Sequence, residues 1–248
     1  MSLGKFTDIV ILLDRSPSMA SRVGAVIESY NGFIADQRTI PGEARVTLAQ
    51  FSGYPPRYQY GGYGQGLDFI YSLQDVPLGS VPELTGAVYS AQGNGTALRD
   101  AVYRLITERG RIYTSLKEES RPEKVVIVIQ TDGEENSSRE VSPEQLKGAI
   151  ERQQFGYNWQ FVYMGANQDA ITNGANLGVL RAQSINYVHT DVGYANVFAS
   201  TSENLKMFRA GAASSMSYSA ADSVEAVSST LSEKAQKFKQ QTADSKGK

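Results

Sequence analysis

The sequence predicts an α/β fold, a three-layer, doubly wound arrangement in which helices cover both faces of a mostly parallel six-stranded sheet. Two observations carry that prediction. Short apolar runs rich in β-branched residues alternate with helix-length amphipathic stretches as far as about residue 210. The two strongest runs, Ile9-Val10-Ile11-Leu12-Leu13 and Val125-Val126-Ile127-Val128-Ile129, are continuously apolar, which is how strands read when both faces are covered. A chain of 248 residues can bury such a core without disulfides. Right-handed crossovers follow from the twist of parallel strands.

After the first run a helix is expected from about Ser18 to Thr39, where Val23, Val26, Ile27, Tyr30 and Ile34 recur at helical spacing before Pro41-Gly42. Ala44 to Phe51 reads as the second strand and Leu67 to Leu73 as the third. Ala97 to about Lys117 is a helix, with Leu98, Ala101, Val102, Leu105, Ile106 and Ile112 on one side. Beyond the Val125–Ile129 strand come a helix (142–154), a strand (Trp159 to Met164), a helix (169–176), a strand (Ser184 to Val188) and a helix (Val192 to Arg209). These elements define a domain over 1–211.

Residues 212–248 shift to Ser, Ala, Lys and Gln and read as a polar C-terminal tail, partly helical or disordered. Val224, Val227, Leu231 and Phe238 nevertheless fall on one helical face. A short amphipathic helix that packs on the chain, on a partner or on a second copy is the alternative.

Composition removes whole classes of chemistry. Without cysteine there is no thiolate catalysis, no Cys-based zinc site and no disulfide framework. His189 is the single histidine, so multi-histidine metal sites are excluded, and it reads as a surface residue at a strand end. A net charge of −2 with no Lys/Arg block argues against nucleic acid. No apolar run approaches the roughly 20 residues that span a bilayer, and no signal-peptide layout precedes the first strand. A cytoplasmic location is the expectation, and the Asn136-Ser137-Ser138 sequon then has no meaning.

Ligands of open parallel sheets bind beyond the carboxyl ends of the strands, and polar residues collect there. Asp14-Arg15-Ser16-Pro17-Ser18 follows the first strand, Thr131-Asp132-Gly133-Glu134-Glu135 follows the strongest one, and Gly93-Asn94-Gly95-Thr96 precedes the central helix. Asp14 and Asp132 supply carboxylates; Ser16, Ser18 and Thr96 supply hydroxyls. All are hard oxygen donors, which select Mg²⁺, with Mn²⁺ or Ca²⁺ also possible, over zinc or copper. Alternation in Ser16-x-Ser18 lets a loop turn two hydroxyls to one point, and Gly93 and Gly95 let the backbone bend Thr96 toward it.

Asp14, Ser16, Ser18, Thr96 and Asp132 resemble, in order, the metal-ion-dependent adhesion site of von Willebrand factor A domains, D-x-S-x-S followed by a distant Thr and a distant Asp-Gly. The resemblance covers about residues 6–190 and extends to the order of strands and helices. It implies an antiparallel third strand at the sheet edge and a metal that accepts a carboxylate from a partner. One departure is Pro17, where the family commonly has glycine; proline fixes φ and removes a backbone donor.

Competing readings are weaker. Phosphotransfer would need an Asp at position 16, which is serine, or a Lys after a later strand, whereas Lys124 precedes its strand. Gly61-Gly62-Tyr63-Gly64-Gln65-Gly66 lacks the strand-then-helix context of a nucleotide loop, and no G-K-[ST] occurs. That stretch carries Tyr58, Tyr60 and Tyr63, which are either a recognition surface beside the metal or a surface loop packing its own rings.

The expected function is a divalent-metal-dependent, non-enzymatic adaptor or assembly module, binding a protein ligand that offers an Asp or Glu carboxylate. A structural protein, viral or phage-derived, that self-associates through the C-terminal tail is the alternative. A metal-dependent hydrolase ranks last, since only Glu134 or Glu135 is at hand as a base.

Overall fold

A computed structural model describes residues 5–55, 66–166 and 169–246. Among them β1 (Thr7–Asp14), β2 (Ala44–Phe51), β3 (Phe69–Pro77), β4 (Lys124–Thr131), β5 (Gln160–Ala166) and β6 (Ser184–Tyr187) form one sheet, ordered β3-β2-β1-β4-β5-β6. Every pairing is parallel except that of β2 with β3 at the edge. Both the doubly wound architecture and the antiparallel edge strand are therefore as expected.

The helices are α1 (Val23–Gln37), α2 (Leu98–Ser115), α3 (Pro143–Tyr157), α4 (Ala170–Leu177), α5 (Asp191–Arg209), α6 (Ala220–Ala226) and α7 (Glu233–Lys246). Strand alternation sorts them into two layers. Ile9, Ile11 and Leu13 of β1 pack with Phe33 of α1, Phe198 of α5 and Phe238 of α7. Val10 and Leu12 face the other way, onto Val102 and Leu105 of α2 and Leu146 and Ile150 of α3. Each such fully buried aliphatic side chain contributes about 1.5–3 kcal/mol of transfer free energy.

Asp8 on β1 is the exception to that apolar rule. Arg109 and Tyr113 of α2 bond its carboxylate inside the core, at the end of the sheet away from Asp14. Burial opposes the guanidinium charge, but the Asp8 carboxylate outweighs it and holds the Arg109 pKa above its ordinary value. Paired charges are the form in which a core tolerates ions.

Element ends differ from the sequence reading for local reasons. The first helix does not start at Ser18. Pro17 opens a 3-10 turn through Arg22, which drives Met19 into the core, and regular α-helix begins at Val23. The third strand is displaced, running from Phe69 to Pro77. Val224, Val227, Leu231 and Phe238 do not share one helix either. Ser219 caps α6, Ser232 bonds the first turn of α7, and the turn between them leaves Val224 and Val227 exposed while Phe238 is buried.

β1 and β4 are neighbours whose crossovers leave in opposite directions, through α1 to β2 and through α3 to β5. Their carboxyl ends thus flank the switch point at which this class of sheet binds ligands.

Candidate metal centre

Asp14 closes β1 at that switch point and is fully buried. Its Oδ1 accepts a hydrogen bond from the Ser16 backbone N–H at 2.7 Å, and its Oδ2 accepts one from Thr131 Oγ1 at 2.6 Å. Burial pushes its carboxyl up to about 6, over the lowering effect of those hydrogen bonds. A neighbouring positive charge would favour the ionised form.

Ser16 Oγ and Ser18 Oγ lie 3.1 Å apart, and Ser18 Oγ donates to Asp132 Oδ1 at 2.7 Å. Pro17 stands between them at the first position of the 3-10 turn. An N–H there has no partner within the turn, so proline's missing donor costs little. The one irregularity of the motif is thus absorbed by the local backbone.

Thr96 arrives from the glycine loop. Gly93 and Gly95 hold φ of 105° and 74°, values that favour glycine, and the Thr96 N–H donates to Asn136 Oδ1 at 2.9 Å. A Cβ added at Gly133 would stand 2.8 Å from Thr96 Oγ1 and 3.7 Å from Asp14 Oδ2. Both oxygens therefore border the space that Gly133 leaves open. The structure thus brings all the motif residues, Asp14, Ser16, Ser18, Thr96 and Asp132, to one point.

Asp132 Oδ2 is buried and accepts no hydrogen bond. His189 Nε2 lies 3.4 Å from it. This corrects the reading of His189 as a surface residue: it does follow β6, but it turns inward, edge-on to Tyr194 with ring centroids 5.8 Å apart. Burial holds the imidazole below its usual pKa, against the Asp132 carboxylate, which raises it.

Further groups support the cluster. Tyr89, in the irregular stretch before the glycine loop, donates to the Asp14 carbonyl at 2.6 Å. Arg15 forms a bidentate pair with Asp68 at 2.8 and 2.9 Å, tying the Asp14 loop to the chain entering β3. Glu135 is no free base: its oxygens accept from the N–H groups of Ser137, Ser138 and Arg99 and from Ser138 Oγ. Lys124 donates to the Phe208 carbonyl at the far end of the sheet, which agrees with the rejection of phosphotransfer. Tyr58, Tyr60 and Tyr63 lie outside the described residues.

Among the described residues no three His, Cys, Asp or Glu side chains converge as a metal cluster. A cation at this point would instead rest on two carboxylates and three hydroxyls, Asp14, Asp132, Ser16, Ser18 and Thr96. That donor set suits a small hard ion. The hydrogen-bond-free Asp132 oxygen suits it as well, and so does the lack of a side chain at Gly133, which leaves Thr96 Oγ1 and Asp14 Oδ2 uncovered.

The family model for the von Willebrand factor type A domain matches residues 8–233. The chain belongs to this family. Solved structures agree at the level of fold. Proximal thread matrix protein 1 from the mussel byssus is 14% identical with a TM-score of 0.52, the match covering 83% of this chain and 46% of that one. The pilus adhesin SpaC of Lactobacillus rhamnosus GG, in an open conformation, is 12% identical with a TM-score of 0.59, covering 84% and 31%. This von Willebrand factor type A chain therefore spans less than half the length of either. No curated protein sequence matches it.

Proposed function

We propose that this chain is a non-enzymatic binding module that captures a protein partner through Mg²⁺ held by Asp14, Ser16, Ser18, Thr96 and Asp132. One observation carries the reading: two buried carboxylates meet three hydroxyls at the switch point, and one carboxylate oxygen, Asp132 Oδ2, accepts no hydrogen bond. Two buried anions side by side are unfavourable without a compensating charge. Their oxygen chemistry favours Mg²⁺, with Mn²⁺ or Ca²⁺ as substitutes. When bound, such an ion supplies a positive charge to which an Asp or Glu of another protein can bind.

Ser18 is exposed while Asp14, Ser16 and Thr96 are buried, so the cluster opens to solvent on one side. That is the side from which a partner's carboxylate would approach. The four hydrogen bonds to Glu135 take away one of the two bases, Glu134 and Glu135, that the hydrolytic alternative had at hand.

The first test is thermal unfolding with and without Mg²⁺. At 100 times its dissociation constant the ion should add about 2.7 kcal/mol of stability, and the gain should vanish in Asp14→Ala and in Asp132→Ala. A melting curve of the unaltered chain that ignores Mg²⁺ removes the site. Partner capture is the second test: proteins recovered in Mg²⁺ should be released by chelator, and recovery that is the same with chelator rules out capture through the metal.

A further inference from the structure

We propose that His189 is a positioning residue of this centre, its imidazole holding the Asp132 carboxylate so that Oδ1 meets Ser18 and Oδ2 keeps one orientation; the inference rests on the cation-binding reading above. An aspartate side chain turns about two bonds. The bond from Ser18, itself an exposed residue, fixes Oδ1 alone. His189 Nε2 stands 3.4 Å from Oδ2, a polar contact that is not a hydrogen bond, on the other side of the carboxyl group. Two contacts on opposite oxygens restrain the rotation that one permits. Partners of this kind around ligating carboxylates are worth about 10- to 100-fold in metal affinity.

The imidazole is held in turn. Its ring lies against Tyr194, and the turn that carries it is tight. Thr190 N–H donates to the Val188 carbonyl at 2.7 Å, and Thr190 Oγ1 accepts from the Gly193 N–H at 3.1 Å as the N-cap of α5. A Cβ at Gly193 would stand 1.9 Å from the Val188 carbonyl oxygen, so the chain can close this way only over a glycine. On its outer side, Val188 N–H donates to the Ala226 carbonyl of α6 at 3.3 Å. The histidine thus sits on a fixed piece of backbone.

Calorimetric titration of Mg²⁺ into the unaltered chain, His189→Ala and His189→Gln tests this, with melting temperatures measured in the absence of metal. His189→Ala should weaken Mg²⁺ binding by about 10- to 100-fold while the metal-free melting temperature stays unchanged. His189→Gln, which can offer an amide N–H to Asp132, should recover most of the loss. Equal affinity in the unaltered chain and His189→Ala overturns the inference and leaves the metal site standing. A fall in metal-free melting temperature that accounts for the lost affinity, or failure of glutamine to rescue, overturns it too. If the unaltered chain takes up no Mg²⁺, the inference falls together with the reading it rests on.

Discussion

Gly133 turns only a hydrogen toward the Thr96 hydroxyl and the Asp14 carboxylate, and a methyl group there would stand 2.8 Å from the first and 3.7 Å from the second. Its φ is not in the left-handed region, so Gly133→Ala is not strained by the backbone. Its effect should fall on the space, not on the fold. Mg²⁺ affinity measured by calorimetry should drop about tenfold, equivalent to about 1.4 kcal/mol, with little change in metal-free stability. Gly53 makes the contrast. A Cβ there would meet the Asn94 carbonyl oxygen at 1.6 Å, and backbone cannot swing aside as a side chain can. Gly53→Ala should cost about 1–3 kcal/mol of stability in urea unfolding. If both variants lost stability equally, the distinction between a side-chain neighbour that can turn at Gly133 and a backbone neighbour that cannot at Gly53 would be wrong.

At the scale of elements, the C-terminal helices offer a pH test. Asp222 completes the capping box that Ser219 opens on α6 and meets Lys234 of α7 at 2.7 Å. Burial would raise its carboxyl, but the bond to Lys234 and those from Ser219 outweigh burial and hold it below the usual carboxylate range. A carboxyl whose folded pKa is depressed stabilises fully above its unfolded value, about 3.9, and stops doing so as pH falls through the lower folded value. Protection of the amides of α6 and α7, taken relative to the intrinsic exchange rate at each pH, should therefore fall as pH drops below about 4, and Lys234→Met should flatten that response. Protection that is indifferent to acid would show that the pair does not hold these helices.

How the elements could be read from sequence follows the same physics. Central strands were legible because both faces are buried, so Ile9 to Leu13 and Val125 to Ile129 carry no polar interruption. The convergence of Asp14, Thr96 and Asp132 was legible because they stand at ends of elements whose order is set by alternation. His189 was not, since its contact with Asp132 depends on two strands two places apart in the sheet and on a turn closed over Gly193. Tyr89 was hidden too, in a stretch without periodicity. The break between α6 and α7 lay in Ser219-x-x-Asp222 and in Ser232, capping residues placed among other small polar ones.

For the molecule as a whole, the segment after residue 211 is tied into the layer that carries α1 and α5, and the family match itself continues to residue 233. Phe238 of α7 lies so close to Gly32 of α1 that a Cβ on the glycine would meet its ring at 2.3 Å. Asn196 of α5 donates to the carbonyls of Glu225 and Thr230 at 2.7 and 3.0 Å and accepts from the Ser232 N–H at 3.0 Å, clamping the turn between α6 and α7. These contacts replace water over apolar surface of α1 and α5, and through Ala226 they reach the turn that carries His189. Phe238→Ala should therefore cost about 3 kcal/mol. Ending the chain at residue 211 should cost more, and should raise the binding of a dye that reports exposed apolar surface. It should also weaken Mg²⁺ binding, because Val188 loses the Ala226 carbonyl that restrains the turn before α5. A shortened chain with the same melting temperature and the same Mg²⁺ affinity would mean that this segment rests on the domain without supporting it. A lower melting temperature with unchanged affinity would confine its role to covering the helices and leave the metal centre independent of it.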